Sequence, residues 1–393
     1  MKKLKLMTGI VLGLAACLAL SAMARAQENL DSYLEGVRAK YGLPALAAAV
    51  TKDGELIAAG AVGKRVMGMD IPVTIDDRFH LGSDTKAMTV TVAGTLVEEG
   101  RLKWTSTVGE VLGKKIKGMN PALAAVTLDQ LLSHSSGIPT DTPEMMAIYM
   151  NPVAFEKNTT DLRLDAINRW KDNAPKVPDG SPFQYANFGY LIAGAMLEEV
   201  SGKPWERLIE ERIYTPLGLN TAGFGPQASF GKYDAAIGHS IDDQGIATSM
   251  TWGAAADVPP VMGPAGNAHM SVLDFARWVG WNAGAGKRAP HIVSPETLAE
   301  IHRPHVRTPP IKDPKPGTPS QGEYALGWGV IAFDWAKTPL LAHNGSNGMN
   351  LAKALVDTKA DLSVVVMTNF PGSKAESAAA EVQQYLYEAF QRH

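Results

Sequence analysis

The sequence predicts an α/β fold of the α+β kind: an antiparallel sheet built from both ends of the chain, flanked by helices, with an inserted helical subdomain. Three observations carry this expectation. Apolar runs at Ala45–Val50 and Leu56–Val62 flank Lys52-Asp53-Gly54-Glu55, and Asp-Gly between two such runs marks a tight β-hairpin. Strand-like runs return near the other end, at Gly329–Phe333, Leu340–His343, Ala352–Val356 and Leu362–Thr368. From about 105 to 265 the pattern is mostly helical, broken by loops rich in Pro and Gly.

Taken in order, residues 30–41 read as an amphipathic helix with Leu30, Tyr33, Leu34 and Val37 on one side. The hairpin follows. After Arg78-Phe79-His80-Leu81 comes Gly82-Ser83, and then a segment from Asp84 to Glu99 in which Met88, Val92 and Leu96 recur at helical spacing. A strand-turn-helix junction is therefore expected at Ser83. The stretch Pro304–Gly322, dense in Pro and basic residues, reads as a long surface loop. A helix over Lys374–Gln391 closes the chain. We expect one domain over 27–393, with its sheet part at about 27–104 and 266–393 and its helical subdomain at about 105–265.

The first residues are expected to lie outside this fold. Lys2, Lys3 and Lys5 precede an uncharged stretch from Leu6 to Ala24, and Ala24-Arg25-Ala26 supplies the small-x-small pattern of a signal-peptidase site. The expectation is a signal peptide over 1–26 and export, to the periplasm of a bacterium. Its removal leaves 33 basic against 40 acidic residues, a charge near −7, and no cysteine. Two rivals are a lipid anchor at Cys17, since Leu14-Ala15-Ala16-Cys17 resembles a lipobox, and an uncleaved membrane anchor. A membrane partner is expected only in those cases. With 45% hydrophobic and 20% charged residues the composition is that of a globular protein. A single Cys excludes disulfide scaffolds and Cys-based zinc sites. A net charge of −3 with mixed signs offers no basic face, so nucleic acid is not an expected partner.

The chemistry concentrates in three short pieces. Ser83-Asp84-Thr85-Lys86 places Lys86 one helical turn from Ser83, so an amine can approach a hydroxyl at a helix N-terminus. Lys86 serves as a base only where burial or nearby cations disfavour its charged form. The alternative for Ser83 is a helix N-cap, and the same alternative holds for Asp84 and Thr85. A second copy of the spacing, Ser229-Phe230-Gly231-Lys232, lies in a Gly-rich loop, and the Gly-x-Ser-x-Gly elbow of α/β-hydrolases is missing. Tyr185-Ala186-Asn187 follows a Pro-Gly loop and precedes an apolar helix. Tyr185 can exchange a proton if cations depress its pKa, and the Asn187 amide can hold an amide of the substrate. A second copy, Tyr149-Met150-Asn151, runs into Pro152.

The third piece is His343-Asn344-Gly345 after the strand Leu340–Ala342. A strand edge there can align a peptide-like substrate, Gly345 leaves room for it, and the backbone N–H groups of Ser83 and Ser346 make an oxyanion hole. Lys315-Pro316-Gly317 fits the same template, but prolines forbid a paired strand. His302 and His305 suggest a metal pair until Pro304 breaks the spacing; no metal or other cofactor is expected. Tyr324 and Trp328 either line the pocket or fill the core.

The ordered set Ser83/Lys86, Tyr185/Asn187, His343/Gly345 resembles the penicillin-recognising serine hydrolases, of β-lactamase/transpeptidase-like fold. Most similar are the members related to class C β-lactamases, among them D-alanyl-D-alanine carboxypeptidases, D-aminopeptidases and β-lactamase-type esterases. Phe79-His80-Leu81-Gly82-Ser83, Leu131 to Pro139, Pro216-Leu217-Gly218-Leu219 and Leu326-Gly327-Trp328-Gly329 look like the same family. The resemblance implies a Ser83 acyl-enzyme, acid/base work shared by Lys86 and Tyr185, substrate contacts from Asn187, His343, Gly345 and Ser346, and hydrolysis without a metal. Class C β-lactamases carry Lys-Thr-Gly where this chain has His343-Asn344-Gly345. Histidine there is only partly charged at neutral pH, which suits a carboxylate less well. The expected activity is thus hydrolysis of a small-molecule or peptide-like ester or amide, of esterase or D-amino-acid peptidase type. Alternatives are a β-lactamase and, from another class, a non-catalytic cell-wall-binding protein that retains the fold.

Overall fold

A computed structural model describes residues 27–150, 157–253, 256–314 and 318–392. The expected signal peptide, Cys17, Asn151 and Lys315-Pro316-Gly317 lie outside the described residues.

The Asp53-Gly54 signal forms its hairpin. Asp53 (φ 51°) and Gly54 (φ 84°) are both left-handed, as a two-residue turn matched to strand twist requires. In chain order the strands are β1 (Glu28–Asn29), β2 (Ala45–Lys52), β3 (Glu55–Gly63), β4 (Arg78–His80), β5 (Gly223–Phe224), β6 (His239–Ile241), β7 (Ala247–Ser249) and β8 (Ala268–Ser271). Then come β9 (Val306–Arg307), β10 (Glu323–Tyr324), β11 (Gly329–Ile331), β12 (Leu340–Gly345), β13 (Leu351–Asp357) and β14 (Leu362–Thr368). Nine of them form one sheet in the order β1-β3-β2-β14-β13-β12-β11-β10-β9, joining the two ends of the chain through the β2–β14 pair. All its pairs are antiparallel except the short β1–β3 contact.

The central strands read as unbroken apolar runs because both faces are covered. Leu46, Ala48 and Val50 of β2, with Leu362, Val364 and Val366 of β14, meet the helices Asp31–Tyr41 and Gly372–Phe390. Ala45, Ala47 and Ala49, with Val365 and Met367, face the helix Val272–Ala283 and the larger helical core. Two helices at the centre of that core, Thr85–Glu98 and Asn187–Ser201, are buried on nearly every side. Their sequences are accordingly apolar all round rather than striped. Among the described residues no helix is long and apolar enough to cross a membrane.

Three details differ from expectation and shape the site. The strand at 340 runs on to Gly345, because β13 supplies partners through Gly345↔Ala352. The strand before Ser83, β4, belongs to a separate three-stranded sheet with β8 and β5. The Pro304–Gly322 excursion is not wholly loop: its flanks pair as β9 and β10, and the Ser181 hydroxyl donates to the Arg307 carbonyl at 2.8 Å.

Gly280 sets how closely the helix Val272–Ala283 approaches the sheet. A Cβ there would stand 2.5 Å from Oγ1 of Thr51, whose hydroxyl pairs with that of Ser363 at 2.6 Å. We expect Gly280→Leu to destabilise the fold by about 1–3 kcal/mol through overpacking, read as a lower urea midpoint.

Candidate functional site

Ser83 sits in a single 3-10 turn, Gly82–Asp84, between β4 and the helix Thr85–Glu98. The neighbouring side chains do not cap that helix: Asp84 makes no cap bond, and the Thr85 hydroxyl donates instead to the Gly82 carbonyl at 2.7 Å. The amine of Lys86 lies 3.0 Å from Oγ of Ser83, 2.8 Å from Oδ1 of Asn187 and 2.7 Å from the Ala265 carbonyl. Lys86 is fully buried, and desolvation pushes its pKa down from 10.5 to about 7 against the opposing pull of Asp141 and Asp84. Once neutral, the amine has two hydrogens for Asn187 and Ala265, which leaves its lone pair for the Ser83 hydroxyl proton.

Asn187 and Tyr185 come from the start of the helix Asn187–Ser201. Asn187 donates through Nδ2 to Asp141 at 2.6 Å, while the hydroxyl of Tyr149 donates to the other oxygen of Asp141 at 3.0 Å. Tyr185 places its ring 4.8 Å from the Lys86 amine. Its pKa is raised, not depressed as cations would have made it. Dense surroundings disfavour the phenolate, Asp84 and Asp141 repel it, and only a hydrogen bond with Ser83 opposes them. Tyr185 is therefore a neutral phenol. His134, held at φ 60°, packs against it with centroids 4.2 Å apart and the rings tilted by 36°. The Ala186 N–H donates to Nδ1 of His134 at 3.1 Å, and burial holds this imidazole neutral.

The third piece arrives along β12. Its register with β11 ends at Gly329↔Ala342, whereas its pairing with β13 continues through Gly345. The sheet thus opens an edge at 343–345, beside the nucleophile. Side-chain alternation turns His343 and Gly345 to the Ser83 side and leaves Asn344 exposed. Contact is close: a Cβ on Gly345 would collide with the Leu81 carbonyl, and one on Gly82 with the backbone nitrogen of Ser346. Two glycines, one of them at φ 50°, bring the backbones of Ser83 and Ser346 together.

His343 departs from the partly charged group expected. It is buried, with Nε2 3.1 Å from the Tyr324 hydroxyl and Nδ1 3.4 Å from Oδ1 of Asp84. Burial, with the charge of Lys86, pushes its pKa down to about 3. Burial pushes Asp84 the other way, well above the carboxylate range. Burial thus disfavours charge on both members of the pair.

Ser83, Lys86, Tyr185, Asn187, His343, Gly345 and Ser346 thus converge from three distant pieces of chain. Asp141, His134 and Tyr190, whose ring lies 5.3 Å from the Lys86 amine, escaped the sequence reading. Asp141 stands in a loop with no spacing signal, and His134 lay inside a noted motif without an evident role. Tyr149, set aside as half of a second Tyr-x-Asn copy, reaches the site through Asp141. Tyr324 belongs to the site and Trp328 to the core. His302 is instead a core group, its Nε2 3.1 Å from Oδ1 of Asn282. Ser229 and Lys232 lie in a hydrogen-bonded turn without a helix.

The chain is similar in sequence and fold to known proteins. The family model described as Beta-lactamase matches residues 30–387. A curated relative, Penicillin-binding protein 4 of Amycolatopsis lactamdurans, is 25% identical over 87% of this chain and 84% of its own. The octameric penicillin-binding protein homologue from Pyrococcus abyssi superposes with a TM-score of 0.71 at 26% identity, over 90% of this chain and 76% of that one. D-amino acid amidase from Ochrobactrum anthropi shares the fold, with a TM-score of 0.70 at 19% identity, over 91% of this chain and 97% of that one.

If Lys86 is the base, kcat/KM for a neutral ester rises with pH through about 7 as the ammonium loses its proton. Asp141→Asn removes the strongest charge favouring the ammonium, so the rise should move to lower pH. A pH–rate profile of both proteins checks it; an unmoved or upward-shifted limb contradicts the assignment.

Proposed function

This chain belongs to the Beta-lactamase family, and from that premise we propose that it is an exported serine hydrolase cleaving an ester or peptide-like amide through a Ser83 acyl-enzyme. The observation that carries the reading is the buried amine of Lys86, 3.0 Å from Oγ of Ser83 and shifted down to about 7.

In this reading the neutral Lys86 amine takes the Ser83 proton as Oγ bonds to the substrate carbonyl. The negative oxygen that forms is held by the backbone N–H groups of Ser83 and Ser346. The carbon–heteroatom bond breaks as the Tyr185 phenol gives its proton to the leaving group, and the Lys86 ammonium replaces that proton. Water then attacks the ester of Ser83, with Lys86 again the base, and Ser83 recovers its proton. The edge at 343–345 lays an extended acyl chain beside the nucleophile, and the Asn187 amide contacts its polar groups.

Substrate preference follows from His343. A neutral imidazole turned toward Tyr324 and Asp84 provides no fixed cation for a carboxylate. That favours an esterase or a D-amino-acid peptidase over a β-lactamase. Export rests on the n-region, apolar stretch and Ala24-Arg25-Ala26 of the sequence.

The test is a fluorophosphonate probe with a substrate panel. Wild type should label and Ser83→Ala should not, with ester turnover falling at least ~10³-fold. Short-chain p-nitrophenyl esters should be turned over faster than a chromogenic cephalosporin. Equal labelling of the two proteins would reject the acyl-enzyme, and the reverse substrate order would make the protein a β-lactamase.

A further inference from the structure

The two backbone donors of the oxyanion hole sit on separate parts of the chain, and side chains that the proposed reaction does not use, the buried His80 and Asp257 and the half-buried Asn347, connect them. On the Ser83 side, the Gly82 N–H donates to Nδ1 of His80 at 3.0 Å. His80 is fully buried, and with Nδ1 accepting, its proton resides on Nε2, which lies 2.7 Å from Oδ1 of Asp257. That same oxygen accepts from the Val258 N–H at 2.6 Å and from Nδ2 of Asn347 at 3.3 Å. On the Ser346 side, Oδ1 of Asn347 accepts from the N–H groups of Met349 at 3.2 Å and Asn350 at 3.1 Å. The Ser346 hydroxyl donates to the Asn350 carbonyl at 2.6 Å, which closes the turn. A line of close polar contacts thus runs from the residue before Ser83, through His80, Asp257 and Asn347, to the turn that carries Ser346; its middle step, between His80 and Asp257, is a 2.7 Å contact without the alignment of a hydrogen bond.

The position of this line matters because an oxyanion hole works only at a fixed separation of its donors. Gly82 and Ser346 are already at the limit of approach, so little can push them closer. Resistance to their drifting apart has to come from a tie. Histidine suits one end of it, since its rigid ring spans from a main-chain N–H to a carboxylate, and a buried carboxylate suits the middle, since it accepts from several donors at once.

We propose that His80 and Asp257 are positioning residues that fix the gap between the Ser83 and Ser346 donors, and so act on the transition state rather than on substrate binding. This inference rests on the hydrolase reading above.

The experiment compares wild type, Asp257→Leu and Asp257→Asn on a p-nitrophenyl ester. It also measures inhibition by phenylboronic acid, whose tetrahedral adduct places an oxygen between the two donors. Asp257→Leu should lower kcat roughly 10- to 100-fold, leave KM within about two-fold and weaken the boronic acid in step with kcat. Asp257→Asn keeps an acceptor for His80 and should recover most of both quantities. Loss of stability alone lowers the active fraction, and active-site titration with the fluorophosphonate corrects for that. Should Asp257→Leu not fold, Asn347→Ala, at a less buried position, carries the same expectation. An unchanged kcat in the folded variant, an effect confined to KM, or an Asn variant no better than Leu would overturn the inference while leaving the hydrolase reading intact. A wild type that neither labels nor turns over ester removes that reading, and this inference with it.

Discussion

The site depends on keeping one lysine uncharged where water cannot reach it. Lowering an amine from 10.5 to about 7 requires surroundings that disfavour the ammonium by roughly 5 kcal/mol. Lys86 meets that requirement by complete burial within the helical core, against the rings of Tyr185 and Tyr190, yet its amine keeps three polar partners: Ser83, Asn187 and the Ala265 carbonyl. An unpaired amine in so apolar a place would cost the fold heavily. Two acceptors, Oδ1 of Asn187 and the Ala265 carbonyl, together with the Ser83 hydroxyl, hold it without supplying a full negative charge in contact. Asp141, the nearest strong influence, acts from behind Asn187, and this screens the amine from a partner that would lock it as an ammonium.

That arrangement explains why the site is assembled between two layers. The helix Thr85–Glu98 can bury Lys86 only because Asn187–Ser201 and the Ala265 segment cover it, and the sheet reaches the nucleophile only because β11 stops pairing at Ala342. Glycine at 82 and at 345 removes the side chains that would hold the sheet edge away from Ser83. Burial of the base and openness of the strand edge are in tension. The serine turn resolves it by standing at the boundary, with Ser83 partly accessible and Asp84 and Lys86 buried.

Much of this was legible in the sequence, for identifiable reasons. The hairpin at Asp53-Gly54 follows from backbone preference alone, and the Ser83/Lys86 spacing from helical periodicity. The sheet joining the two chain ends showed as strand-like runs at both ends, and those runs lacked alternation because both faces are covered. What escaped is chemistry set by the third dimension. No spacing rule places Asp141 behind Asn187 or His134 on Tyr185. The direction of the Tyr185 shift is not legible in the sequence, because it depends on the density of the surrounding packing and on carboxylates that the fold brings near it. The extension of β12 to Gly345 depends on its partner strand, which a local pattern does not encode.

The state of His343 shows how these parts constrain one another. An ionised imidazole there would stand beside the Lys86 amine, and each cation would oppose the other. An ionised Asp84 would do the reverse, drawing Lys86 back toward the ammonium. Burial disfavours charge on both groups, 3.4 Å apart, and so limits what either imposes on Lys86. A lysine at 343 beside the same Asp84 would favour a buried ion pair, which would need excellent geometry to repay its desolvation. Asp84 and His343 are therefore best understood as one unit: aspartate next to the nucleophile is tolerable because the facing strand presents an imidazole. The pocket that results attracts its substrate through backbone and amide contacts instead of through a fixed charge.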